Sequence, residues 1–225
     1  MKNVSLVLMA VLALIFFSAQ PSLAVVIVGD TARSTSNLGD FLADFNYLPS
    51  GIVSIDIENT SPAGTGGSLT GFVFNAPLDA GITGISGFTS DPTYPAFQAV
   101  YSLDSIDGQP FGRFDIGAYT GRNFEGAGSP ANGIPIDGHS LFTITLSGTT
   151  LGDVDTMDFL QTMSVLPSGR EGKDFFVARF SGFNTGAGSD KVPGMFEQTP
   201  PVPEPATMSL LGLGLLGLAG FRKRS

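Results

Sequence analysis

An all-β body is the fold class this sequence predicts, and three observations predict it. Short runs alternate apolar and polar residues with the period of two that a half-buried strand shows. Glycine, at 30 residues, punctuates those runs together with proline, asparagine and aspartate. Phenylalanine is abundant at 19, and no run of the body forms a long amphipathic helix. The expectation is a single β-sandwich or jelly-roll-like domain with room for one short helix.

Residues 52–58 carry the clearest strand signal. Val53, Ile55 and Ile57 fall on one face, and Ser54, Asp56 and Glu58 on the other. Residues 59–67 are a turn-rich connection. Residues 68–75 form a second strand whose Phe72 and Phe74 point into the core. Residues 82–88 and 96–103 are further strands, the former broken by glycine. In 112–119, Phe114, Ile116 and Ala118 alternate with Arg113, Asp115 and Gly117. In 140–146, Phe142, Ile144 and Leu146 alternate with Thr143 and Thr145. Residues 175–180 are the last strong strand, and 25–37 supply a first strand and loop. About seven or eight strands at this spacing suit a sandwich.

Residues 153–164 depart from the pattern. Val154, Met157, Leu160 and Met163 recur every third residue, which fits a short helix with Asp155 as N-cap and Asp158 in its first turn. A strand is the competing reading. Residues 185–202 are rich in glycine, proline and polar side chains and read as a linker. The body is therefore expected over 25–184.

The two ends carry a different kind of information. Met1-Lys2-Asn3, the apolar stretch 4–17 and the small residues of Ser22-Leu23-Ala24 form a secretory signal peptide over 1–24, with the mature chain starting at Val25. At the other end Pro203-Glu204-Pro205 precedes an uncharged apolar run, 206–221, and then the basic stop Arg222, Lys223, Arg224. As a helix that run is about 24 Å long. It falls short of the roughly 30 Å hydrocarbon core, a difference that flanking residues or local thinning absorb. The basic triplet places the C-terminus in the cytoplasm. Prolines 200, 201, 203 and 205 keep the approach extended and open to a processing enzyme.

At these residues, 203–225, the chain resembles the PEP-CTERM proteins of Gram-negative bacteria, whose sorting signal is a Pro-Glu-Pro motif, a short transmembrane segment and a basic end. The resemblance covers about a tenth of the chain. It implies recognition by an exosortase, an integral-membrane cysteine protease or transpeptidase, and removal of the tail on the way to the cell surface. It also implies a setting of exopolysaccharide production. The expected partners are thus the exosortase and export machinery, the inner membrane transiently, and exopolysaccharide as a candidate ligand.

Charge and composition narrow what the body does. The whole chain carries −9. Without Lys2, Arg222, Lys223 and Arg224, eleven basic residues fall to seven. Without Glu204, twenty acidic residues fall to nineteen, so the exported body carries about −12. Such a body is a poor nucleic-acid binder, because phosphate contact needs clustered Lys and Arg. Cysteine is absent, so an exported domain must hold together by its core alone.

Catalytic patterns are thin, and neither an enzyme nor a cofactor is expected. One histidine, His139, would have to serve any Ser-His-Asp site, and its setting after Asp137-Gly138 is that of a surface turn. No nucleophile elbow occurs. One histidine and no cysteine cannot build the usual zinc sets. Calcium has two candidate clusters, Asp104 with Asp107, and Asp153 with Asp155 and Asp158, neither in an EF-hand pattern. Tyr94, Tyr101 and Tyr119, and the group Phe41, Phe45 and Tyr47, are the aromatics considered for stacking on sugar rings. The expected function is that of an exported surface or matrix protein in a structural role. The alternatives are an exopolysaccharide-binding module, with Ca²⁺ as an aid, and a secreted hydrolase.

Overall fold

The computed structural model describes residues 24–126, 128–170 and 172–197. The expected signal peptide up to residue 23, the Pro-Glu-Pro motif, the apolar run and the basic stop lie outside the described residues. The strands are β1 (Val25–Gly29), β2 (Phe41–Leu48), β3 (Ile52–Asn59), β4 (Gly66–Phe74), β5 (Ile82–Thr89), β6 (Gln98–Asp107), β7 (Arg113–Tyr119), β8 (His139–Gly148), β9 (Phe176–Phe183) and β10 (Ser189–Phe196). One short helix, α1 (Thr156–Gln161), stands between β8 and β9.

The all-β class holds, but the strands are not divided between two separate sheets. They form one 10-stranded sheet in the order β5-β8-β3-β2-β1-β10-β9-β4-β7-β6. Neighbouring strands are antiparallel throughout. The sheet folds over so that its halves face each other through phenylalanine. Phe45 of β2 meets Phe74 of β4 edge-on at 5.3 Å, Phe41 lies 5.4 Å from Phe176 of β9, and Phe142 of β8 lies 5.0 Å from Phe72. The two ends of the sheet approach each other, where the Tyr101 hydroxyl of β6 donates to the Ile82 carbonyl of β5 at 2.8 Å. The result is a flattened near-barrel rather than a sandwich.

The join between the halves is the pairing of the first strand with the last. Ile27 pairs with Phe196, Val28 with Met195 and Gly29 with Gly194. This corrects the expected linker over 185–202, because Ser189–Phe196 is an inner strand of the sheet. Its sequence, SDKVPGMF, hides that role behind a proline, a glycine and two charges. Each exception has a local reason. A strand residue aims its N–H and C=O at the same neighbour, and the Pro193 carbonyl accepts from Asp30 N just past the end of β1. The donor that Pro193 lacks therefore falls where the ladder has already ended. Gly194 sits against the core, where a Cβ would meet Ile27 Cγ2 at 2.7 Å and Phe176 Cβ at 3.2 Å.

The two charges of β10 are equally committed. Asp190 is fully buried and accepts from the N–H groups of Ser36, Leu38 and Gly39 and from the Thr35 hydroxyl. Four hydrogen bonds thus pin the segment between β1 and β2 to the last strand. Lys191 is also buried. Its Nζ donates to both carboxylate oxygens of Glu125, at 2.6 and 2.7 Å, and to the Gln109 carbonyl. Those partners belong to the two loops flanking β7, whose Phe111 and Phe124 cover the outer face of the sheet beside Phe114, Val73 and Val177.

Helix α1 forms where the sequence predicts a helix or a strand. Asp155 accepts from Met157 N at 2.7 Å and Asp158 N at 3.1 Å, and Asp158 accepts from Asp155 N at 2.7 Å. This is a full capping box. Leu160 of the expected stripe is buried, but so is Phe159, which packs 4.7 Å from the Tyr47 ring and closes one end of the core.

Candidate functional site

Pairing in the sheet brings the two ends of the body together. Glu197 N donates to Val26 O at 3.1 Å, one step beyond the Ile27–Phe196 pair. The predicted mature N-terminus at Val25 and the exit toward the tail therefore lie side by side at one end of the sheet. No helix among the described residues is long and apolar enough to cross a membrane.

Residues considered for chemistry on the body are placed as follows. His139 is exposed at the start of β8, paired in register with Glu58. Its charged neighbour is Asp91, whose carboxyl is held below its ordinary value mainly by hydrogen bonds from Thr93, with a smaller contribution from His139. In the capping box of α1 both Asp155 and Asp158 act as acceptors for backbone donors. Asp104 takes a positive φ of 49° and donates its N–H to Asp115 Oδ1 at 2.6 Å. Among the described residues, no three His, Asp or Glu side chains gather closely enough to hold a metal ion.

Two buried carboxylates escaped the sequence reading. Asp115 accepts from Asp104 N and from Ala76 N, tying the irregular stretch of β6 and the end of β4 to β7. Burial raises its pKa, and those two hydrogen bonds only partly oppose the rise. Asp174 is raised by burial as well, against the opposing pull of Arg33, whose Nη2 donates to it at 2.7 Å. Asp115 stands between Phe114 and Ile116 in β7, and its partners Asp104 and Ala76 lie elsewhere in the chain, so the local pattern does not reveal its burial.

Most aromatics considered for sugar stacking are core. Phe41, Phe45 and Tyr47 are buried at 2 % exposure or less, and Tyr119 is buried too. The missed strand β2 explains the first three, since FLADFNYL alternates with Phe41, Ala43, Phe45 and Tyr47 inward. Tyr101 is half-buried with its hydroxyl spent on β5. Tyr94 lines an open groove.

Two of the clefts among the described residues bear on the residues considered above. One, of about 320 Å³, lies where α1 meets the turn after β4 and is lined by Asp79, Asp153 and Asp158 among others. The other, of about 360 Å³, lies between the β5–β6 crossover and the 3-10 turn Pro130–Asn132. None of its lining residues is charged.

Comparison with known proteins bears on the tail. Residues 201–224 match the family described as the PEP-CTERM protein-sorting motif. No curated protein and no solved structure matches the chain. That motif implies export, sorting by an exosortase and transient membrane anchoring. The chain carries the PEP-CTERM sorting motif at its C-terminus, as the residues around Pro203, Glu204 and Pro205 led one to expect.

Proposed function

We propose that the mature protein stands at the cell surface or in the extracellular matrix and has a non-catalytic, structural role there. The observation that carries this reading is the sorting motif over 201–224, attached to a β body that ends at Phe196. In this reading the signal peptide is cleaved after Ala24. The precursor then sits in the inner membrane with Arg222, Lys223 and Arg224 in the cytoplasm until the exosortase acts. The structural role is supported by what the acidic side chains do. Asp115, Asp155, Asp158 and Asp190 serve as acceptors for backbone donors, which is work of folding.

Intact mass of the protein from the host envelope and from the medium tests the reading. A mass lacking both ends is expected, and Glu204→Gln or deletion of residues 208–225 should change both mass and location. Unaltered mass and location in those variants would remove the sorting role. A broad hydrolase screen tests the non-catalytic part, with His139→Ala as the control for any activity found.

The second reading is a binding module for exopolysaccharide. The uncharged groove beside Tyr94 favours it over a calcium-assisted mode, since the acidic cleft gathers no three carboxylates at ligand spacing.

A further inference from the structure

The groove between the β5–β6 crossover and the Pro130–Asn132 turn differs from the rest of the body in charge. Nineteen acidic and seven basic residues are spread over the body, yet this groove is lined without any of them. The other cleft, of similar size, has three aspartates in its wall. A groove lined without charge offers an ion no partner to offset its desolvation, so phosphates, uronates and metal ions are disfavoured as its occupant. Its volume of about 360 Å³ lies at the small end of ligand sites.

Its walls combine rigid apolar surfaces with a few polar groups. Tyr94 is half-buried, and its backbone is fixed by Tyr94 N donating to Asp91 O at 2.9 Å and Ser90 Oγ donating to Tyr94 O. Pro130 and Pro135 form fixed apolar walls. The turn that carries Pro130 is anchored by a reciprocal pair of hydrogen bonds between Leu69 and Ile134, both 2.8 Å. Gly133 permits that approach, because a Cβ there would lie 2.5 Å from Leu69 O. Ser68 and Asn132 contribute a hydroxyl and an amide; Thr93 and Asn132 are exposed at the rim, and the Thr93 hydroxyl is already bonded to Asp91. A half-buried aromatic side chain, stiff apolar walls and a few uncharged polar groups match a pyranose ring, which is apolar on its C–H face and hydroxylated at its edge. Walls that do not have to be ordered on binding add to affinity.

The position of the groove agrees with display. Ser68 pairs with Ser181, and Ser181 with Ser189 at the start of β10. The chain then runs the length of β10 before leaving at Phe196, about 23 Å away at a strand's rise. The groove thus lies toward the end of the sheet opposite the one from which both termini emerge.

We propose that this groove is a binding site for an uncharged saccharide, with Tyr94 as the stacking platform and Asn132 and Ser68 as hydrogen-bonding groups. The site belongs to the body, so it stands or falls independently of the sorting reading, whose test concerns the tail. The experiment titrates the full chain, solubilised in detergent, with uncharged tetrasaccharides of glucose, mannose, galactose and N-acetylglucosamine. Tetragalacturonate and a polyproline decapeptide serve as competing classes, and calorimetry is the readout. At least one uncharged tetrasaccharide should bind, with an affinity insensitive to salt. Tyr94→Ala should weaken it about tenfold or more. Ala131→Trp, at an exposed position in the groove wall, should abolish binding while leaving the melting temperature unchanged. The proposal is overturned if no uncharged saccharide binds, or if binding survives Ala131→Trp at full strength. Equal or tighter binding of tetragalacturonate or of the polyproline peptide in the groove would overturn it as well.

Discussion

Glu197 and Val26, separated by nearly the whole body, share a backbone hydrogen bond of 3.1 Å. That bond extends the β1–β10 ladder and brings the two ends of the body to one place. The sheet cannot close until both the first and the last strand are present. Completion of the fold therefore requires the chain as far as Phe196, close to the sorting motif over 201–224.

Lys191 holds two covering loops to β10, so its replacement should loosen both. Lys191→Met keeps the buried stem and removes the ammonium from Glu125 and the Gln109 carbonyl. Glu125 is 38 % exposed, so water takes over part of what it loses. The expected cost is about 1–2 kcal/mol, measured by denaturant unfolding. A change within experimental error would show that the loops dock through Phe111 and Phe124 alone.

Asp115 predicts a pH dependence with a definite sign. Its pKa is raised in the folded state, above the ordinary 3.8. Between those two values the folded chain holds the proton more tightly than the unfolded chain, so this group's contribution falls as pH rises through that window. Above the raised value the loss is complete, and below 3.8 it is absent. Relative to Asp115→Asn, the wild type should lose melting temperature across that window and then level off. A difference between the two proteins that is flat with pH would contradict the burial of a charged carboxylate here.

The capping box of α1 gives a local test. Asp155→Ala removes the acceptor for Met157 N and Asp158 N and should cost about 1 kcal/mol. Asp153→Ala, an exposed position outside the capping box, is the comparison and should be close to neutral. Equal effects from the two variants would mean that α1 is held by Phe159 and Leu160 rather than by its cap.

Gly194→Ala tests the seam itself. The added methyl would press on Ile27 and on Phe176 across the join of the two halves. The expected destabilisation is about 1–3 kcal/mol in denaturant unfolding. A neutral result would indicate that β1 can shift outward without loss, which would argue against a tightly packed β1–β10 seam.

Legibility in the sequence followed the burial of one face against two. Strands such as β3 and β8, with one face in the core, alternate cleanly and are readable from residues such as Val53, Ile55, Phe142 and Ile144. β2 alternates as well, with Phe41, Ala43, Phe45 and Tyr47 inward, but its aromatics stand in the sequence reading as a group without a strand. β10 is buried on both faces and carries Asp190, Lys191, Pro193 and Gly194. Each of those residues argues against a strand unless its partner is known, and each partner is distant in the chain. Of the groove, Tyr94 was visible as an aromatic, but nothing in the sequence linked it to Asn132 or Ser68.

By itself the sequence determined the sorting motif, the β class, the period of most strands and the cap of α1. These are local properties, set by short-range chemistry such as apolar alternation, an Asp at a helix start and a proline motif before an apolar run. The tertiary structure alone decided that the sheet is continuous and that the last strand pairs with the first. It also decided which carboxylates are buried and where an uncharged groove opens. Those outcomes rest on contacts between residues far apart in the chain, as between Lys191 and Glu125 or Glu197 and Val26, and a local pattern carries no trace of its distant partner.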